Sequence, residues 1–388
     1  MYSALVLLIA GSVACLAATL LGGVRHDYIY YLEQWRLVLA GLDPWSTNNA
    51  YGPLHNAFAL LLPLDPLAPK IATALSLLIA NALLVLALER TRPRPEWQQI
   101  YLLAFALNVL PLVSVFWFGN NDGFVAALVI GAVLARLRGR VVLAGLLLGL
   151  ATLDKYYPLL LVPFFALDAR RFEARLVIAA LLTTGAGMLA GALLWGRDFI
   201  EAVAFGISRD ATILSIIRPI SLIGRKLGVS EYTDLLVRFN SPIVLAVWIG
   251  ALALAWRRRD NWLVGACWGL FAVLLAYKVG HQQFMVSWLA LVACLPLLRR
   301  DDADRLARLS LPFACFLSVF QAGFVLLQPE YYRGPWVFVP SYVGLLSFAL
   351  GLLLLLSFLR PASRPAPSPS AAPHAESARY SRTADPRP

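Results

Sequence analysis

The chain has 388 residues, with 33 Lys and Arg against 22 Asp and Glu and a formal net charge of +11. Hydrophobic residues make up 60% and charged residues 14%, where a soluble domain carries about 25% charged residues. With a mean hydropathy of +0.71, these values exclude a soluble enzyme, a disordered chain and a disulfide scaffold, and they describe an integral membrane protein.

Apolar runs fall at roughly 2–22, 68–89, 99–117, 123–137, 141–153, 158–167, 176–195, 241–256, 261–278, 284–298, 309–328 and 336–359. The expected fold class is therefore all-α and polytopic, with about 12 transmembrane helices. A full crossing takes about 20 apolar residues, so the runs within 123–167 are short and predict tight hairpins or broken helices. The first run lacks a basic leader segment and is too long for the apolar part of a signal peptide, so it reads as an uncleaved helix. Cys15, Cys267, Cys294 and Cys315 all lie in apolar runs, which speaks against disulfides and thiolate metal sites.

The loops alternate in charge. One set holds Arg90, Arg92 and Arg94, then Arg136, Arg138 and Arg140, then Arg170, Arg171 and Arg175, then Arg257 to Arg259, then Arg299, Arg300, Arg305 and Arg308. The positive-inside rule places this set, both termini and the tail in the cytoplasm. The basic charge is thus a signal for orientation, and it gives no reason to expect a nucleic-acid partner. Residues 1–360 form one membrane domain; 361–388, rich in Pro, Ser, Ala and Arg, cannot bury a core and reads as a disordered cytoplasmic tail.

The opposite face collects the polar chemistry. It carries Lys70, Lys155, Lys226 and Lys278 together with His26, His55 and His281. Asp27 follows the first span, and residues 28–40 predict an amphipathic surface helix with Ile29, Leu32, Trp35 or Arg36, and Leu39 on its apolar face. Gly41-Leu42-Asp43-Pro44 ends that helix as a turn. A second short apolar stretch, 54–62, precedes Pro63. Asp27 is equally placed to cap the helix or to pair with Arg25.

An acid outside the first span, an aromatic-rich helix, Ala40-Gly41-Leu42-Asp43-Pro44-Trp45 and then Tyr51-Gly52-Pro53-Leu54 form a recognisable order. It resembles the start of GT-C-fold glycosyltransferases, in particular the GT87-like, DUF2029-type mannosyltransferases that depend on polyprenyl-phosphate mannose. Trp45 stands where that family typically has Tyr, and Gly52-Pro53 where Pro-Pro is usual. Phe118-Gly119-Asn120-Asn121-Asp122-Gly123, the Ala144–Ala151 stretch with Lys155 and Pro158 beyond it, and Lys278–Phe284 (KVGHQQF) continue the likeness over roughly 20–290.

The resemblance implies transfer of a hexose, with mannose the family's sugar, from a polyprenyl phosphate to a glycolipid or glycan acceptor hydroxyl on the extracytoplasmic face. The acceptor must lose a proton, which a carboxylate or His can take. The leaving phosphate is already ionised and needs cations rather than an acid. Asp27 is the first candidate base and His281 the second. Lys155, Arg209, Arg218 and Lys278 are candidates for the donor phosphate. His26, Tyr51, Asn121, Asp122, Gln282 and Gln283 are candidates for sugar or acceptor. Each has a plainer alternative: an Asp154–Lys155 pair closing a hairpin, Asn121 and Asp122 capping a helix, cations touching lipid headgroups in the amphipathic 209–228 segment.

The lipid-linked donor is a co-substrate, so no cofactor and no resident metal are expected, although carboxylates near a phosphate can recruit a divalent cation. Membrane lipids are the surrounding partner, and a bacterial plasma membrane suits the Arg-rich, Lys-poor, Ala/Leu-rich composition. The absence of a P-loop and of a His-Glu-x-x-His signature argues against ATP-driven transport and a zincin protease. The rival reading is a transporter or flippase for a lipid-linked sugar. Such proteins usually carry repeats and midplane charges, whereas here the ionisable residues sit at span ends.

Overall fold

In a computed structural model, residues 2–47, 49–91, 97–168, 171–196, 200, 209–326 and 338–360 are described. The tail 361–388 and the expected outer loop 329–335 lie outside the described residues.

The chain is helical almost throughout, as lipid requires when no water is present to satisfy backbone groups. Helix α1 (Tyr2–Gly22) leads to α2 (Asp27–Leu39) and the short α3 (Pro53–Ala57). Then come α4 (Ala68–Thr91), α5 (Gln98–Trp117), α6 (Asp122–Leu137), α7 (Val141–Asp154), α8 (Tyr157–Ala166) and α9 (Ala174–Trp195). The second half holds the surface helices α10 (Ile217–Lys226) and α11 (Ser230–Arg238). They are followed by α12 (Asn240–Arg258), α13 (Trp262–Ala276), α14 (Gln282–Leu298), α15 (Asp301–Leu326) and α16 (Phe338–Leu359). A two-residue antiparallel ladder, Leu167–Asp168 with Arg171–Phe172, is the one departure from all-α among the described residues.

Among the described residues, six helices are long and apolar enough to cross a membrane: α4, α5, α9, α12, α15 and the Tyr342–Leu359 part of α16. Apart from α1, which is 21 residues long, the other apolar runs expected as crossings are shorter helices, and for α6, α13 and α14 the reason is burial. Helix α6 spans 16 residues and is enclosed by α4, α7 and α14. Its side chains Val125, Val129, Ile130 and Val133 meet protein rather than lipid, so bilayer thickness does not set its length. Helices α13 and α14 are likewise interior, with Phe271, Trp288 and Phe313 of α15 packed tilted or edge-on at centroid distances of 4.6 to 5.6 Å. The outer helices instead keep bare apolar faces, such as Leu189, Leu193 and Leu194 on α9.

The run expected as one helix over 99–117 is broken at Asn108. Leu102–Ala106 and Leu112–Trp117 are π-helical. Asn108 caps the second half through Leu110 N–H (3.0 Å) and donates to Ala314 O (2.9 Å), while Val109 N–H finds Ser318 Oγ at 3.0 Å. Partners on α15 thus satisfy the groups that the break exposes.

Two close approaches place the outer end of the bundle. Gly145 and Gly149 on α7 lie against Leu176, Ala180 and Thr183 of α9, where an added Cβ would collide; this small-xxx-small face lets the backbones meet. Gly52 lies on the backbone of Leu153 and its N–H donates to Asp154 O (3.0 Å). The loop from α2 to α3 is thereby seated on the end of α7.

Candidate functional site

The ends of α1, α4 and α5 converge first. Lys70 Nζ donates to Gly23 O (3.0 Å) and Trp117 O (2.7 Å), so one cation ties two helix C-termini. Just beyond, His26 adopts φ +50° and packs against Phe118, the rings tilted with centroids 3.8 Å apart. Asp27 opens α2 without capping it: His26 occupies the cap position and makes no side-chain cap bond. Among the described residues no ion pair joins Asp27 to Arg25, whose guanidinium lies 5.1 Å over Trp117. The Asp27 carboxylate accepts from Gln283 Nε2 at 3.3 Å.

Helix α2 buries Tyr28, Tyr31, Leu32 and Trp35, leaving Ile29 and Leu39 exposed. Leu32 and Trp35 of the expected face are buried, and Ile29 and Leu39 are not. The aromatics are amphipathic and find polar partners under the helix: Tyr28 OH on Pro66 O (2.7 Å) and Trp35 Nε1 on His55 O (2.8 Å). The turn after α2 is held by Asp43 Oδ1 accepting from Trp45 N–H (2.8 Å), by Trp45 Nε1 on Tyr51 O (3.0 Å) and by Asn49 Oδ1 on Tyr51 N–H (3.0 Å). Its product is the fixed position of Tyr51.

Tyr51 belongs to a network whose polarity can be read throughout. His55 Nε2 meets Gln34 Oε1 at 3.2 Å, and His55 Nδ1 meets Asn121 Nδ2 at 3.3 Å. Because an amide nitrogen only donates, His55 Nδ1 accepts and its Nε2–H donates to Gln34. Asn121 Nδ2 also donates to Asp154 Oδ2 (2.8 Å), and Asn121 Oδ1 accepts from Tyr31 OH (3.3 Å). Tyr31 OH and Tyr51 OH are 2.9 Å apart. Both Asn121 hydrogens are therefore used inside the protein. Asn121 occupies the N-cap position of α6 but makes no side-chain cap bond. Burial pushes His55 from an ordinary 6.5 down to about 3, helped by the charge of Lys155; burial also pushes the Tyr51 phenol up.

Lys155 pairs with Asp122, not with Asp154: Nζ to Asp122 Oδ2 is 2.6 Å, both side chains being buried. Its ammonium lies 5.2 Å over Tyr51 and 5.3 Å over Phe284. Asn120 Nδ2 donates to Gln283 Oε1 (3.2 Å), so Gln283 bridges Asn120 and Asp27. Arg209 Nη2 meets His281 Nε2 at 3.1 Å, and burial, then Arg209, push His281 from 6.5 down to about 4. Among the described residues Asn120 Oδ1, Asp122 Oδ1 and Gln282 Oε1 are buried acceptors with no donor.

Two expected phosphate ligands stand apart from this cluster. Lys278 Nζ donates to Val237 O (3.2 Å). Arg218 Nη1 reaches Ala211 O at 3.5 Å and lines a cleft of about 440 Å³ with Asp210, Ser221, Arg225, Asp234 and Arg238. The tripeptide Asp302-Ala303-Asp304 spells an Asp-x-Asp pattern, but Asp302 accepts two bonds from Arg300 at the other end of the bundle. Among the described residues no three His, Cys, Asp or Glu converge on a metal position.

The site thus gathers acids, a buried lysine and sugar-compatible amides at the ends of apolar helices. The family model that matches the chain, Glycosyltransferase family 87, covers residues 49–277. The chain belongs to glycosyltransferase family 87. It is a membrane glycosyltransferase by that membership and by its apolar helices. The family 87 match takes in Tyr51, His55, Asn121, Asp122, Lys155 and Arg209, while Asp27 and His281 lie outside it. No curated protein and no solved structure matches.

Sequence reasoning missed His55, Tyr31, Gln34 and Asp154 as site residues. The available signal was polarity in an apolar setting, Gln34 between aromatics and Asp154 at the end of a long apolar run, which does not by itself distinguish a network from a surface.

Proposed function

We propose that the protein transfers a hexose, mannose by its family likeness, from a polyprenyl-phosphate donor to a glycolipid or glycan acceptor hydroxyl, with inversion at C1. The site faces the extracytoplasmic side of a bacterial plasma membrane, and both termini are cytoplasmic. The observation that carries this reading is Asp27: a half-buried carboxylate held by one neutral donor, Gln283, within the electrostatic reach of His281. A carboxylate so placed keeps lone pairs available to a substrate hydroxyl.

In the reaction the acceptor oxygen attacks C1 as its proton passes to Asp27. The C1–oxygen bond to phosphate breaks, and the electron pair leaves with the phosphate. The His281 turn, held by Arg209, meets that charge, and Arg218 reaches the headgroup from the neighbouring cleft. Lys155 is already neutralised by Asp122, so its part is to fix the pocket beside Tyr51 and Phe284. The unpartnered oxygens of Asn120, Asp122 and Gln282 are acceptors for sugar hydroxyls. His26 borders the pocket, and Lys278 holds the loop behind it.

The test uses purified full-length protein in lipid with a radiolabelled polyprenyl-phosphate hexose and candidate acceptors. Asp27→Asn, folded as judged by an unchanged melting temperature, loses transfer by a factor on the order of 10² or more. Movement of intact donor across the bilayer without transfer would establish a flippase instead.

A further inference from the structure

The hydrogen bond at His281 fixes a tautomer as well as a position. A guanidinium offers only donors, so across the 3.1 Å contact with Arg209 Nη2 the imidazole Nε2 must supply the lone pair. The single hydrogen of the neutral ring then sits on Nδ1. Among the described residues Nδ1 has no hydrogen-bond partner. The contact is braced from behind: Thr212 N–H donates to Lys278 O (3.0 Å) and Leu214 N–H to Gly280 O (3.1 Å). Gly280 lies so close to Ser215 that a Cβ would collide with its backbone. The segment carrying Arg209 is thus strapped along the turn carrying His281.

We propose that Arg209 is a positioning residue that locks His281 in its neutral Nδ1–H tautomer, making His281 a hydrogen-bond donor to the leaving phosphate oxygen and leaving Asp27 as the base. This revises the role of His281 as a second base, because the lone pair that a base needs is the one Arg209 occupies. The charged groups facing the ring are Arg209, Lys155 and Asp27; the first two oppose its protonation and the third favours it. The inference rests on the proposed glycosyl transfer, and its tests separate the two.

The tautomer is read in resting full-length protein by ¹⁵N resonances of the His281 ring in lipid at about pH 7. The expected pattern is a protonated Nδ1 and a bare Nε2, lost in Arg209→Met and retained in Arg209→Lys. A protonated Nε2 or an imidazolium in the wild-type protein overturns the lock. The donor role is read with the labelled lipid-linked hexose. Asn places its amide hydrogens near the Nδ1 position and Gln near Nε2, so His281→Asn keeps at least about tenfold more kcat than His281→Gln. Equal losses, or the reverse order, overturn the donor role.

A locked tautomer in a protein that transfers no hexose would sink the proposed function alone. Full transfer with an unlocked ring would sink this inference alone.

Discussion

Lys155 and Asp122 are the pair on which the site's stability is most exposed. Both are buried, 2.6 Å apart, and removing one partner strands the other's charge. Lys155→Met should lower stability by about 3–5 kcal/mol, measured by thermal unfolding in detergent, and the double variant Lys155→Met/Asp122→Asn should recover most of it. An unchanged melting temperature in the single variant would free Lys155 for a direct phosphate contact. His55 supplies a second measurable quantity. It is neutral in the folded protein, held at about 3 against an ordinary 6.5, so the unfolded chain binds the extra proton. Its contribution to stability is complete above about 6.5 and is lost as pH falls towards about 3. The melting temperature should therefore fall on acidification through that window, and His55→Gln should flatten the fall. Neither role was legible beforehand. The sequence marked Lys155 through its setting after an apolar run, but its choice of Asp122 over the adjacent Asp154 depends on where α6 begins in space.

At the scale of helices, the contact between α7 and α9 sets where Asp154 and Lys155 end up. Gly149 has no room for a Cβ against Thr183 and Ala180, whereas Gly185 on α9 faces open space. Gly149→Val should force the helices apart, lower stability by about 1–3 kcal/mol or more and weaken donor use. Gly185→Ala should be neutral or stabilising by up to about 1 kcal/mol through helix propensity. A melting temperature that moves equally in both would mean that the glycine face is not what aligns α7. The Ala-Gly-rich run was visible in the sequence, and so were α2 and the turn at Gly41. The full buried face of α2 was not. Its apolar spacing marked Leu32 and Trp35, which are buried, but also Ile29 and Leu39, which are not, and it passed over Tyr28 and Tyr31, because hydroxyl groups found carbonyl and amide partners that a periodicity of apolar residues does not register.

For the whole molecule, the helices sort charge to two ends. Opposite the site, Arg258 Nη1 donates to Leu359 O (3.2 Å), Arg305 donates to Ser357 O and Arg360 O, and Arg136 lies 3.9 Å from Asp168. Among the described residues Arg136, Arg258, Arg305 and Arg360 thus lie at one end of the bundle, and Asp27, Asp122, Lys155 and His281 at the other. This much was legible because α6, α7, α12, α13 and α15 reverse direction in turn, whatever their lengths. Crossing length was not legible for the interior helices, since protein rather than lipid surrounds them. Which end faces the cytoplasm then follows from the positive-inside rule alone, and it can be measured. Single cysteines replace exposed Ser46, at the site end, and exposed Arg138, at the arginine end, in a background without Cys15, Cys267, Cys294 and Cys315. In intact cells a membrane-impermeant maleimide should label Ser46→Cys and leave Arg138→Cys unlabelled until the membrane is opened. The opposite pattern would put Asp27 in the cytosol, where an outer-leaflet donor cannot reach it, and glycosyl transfer would have to draw on a donor presented from the inner leaflet.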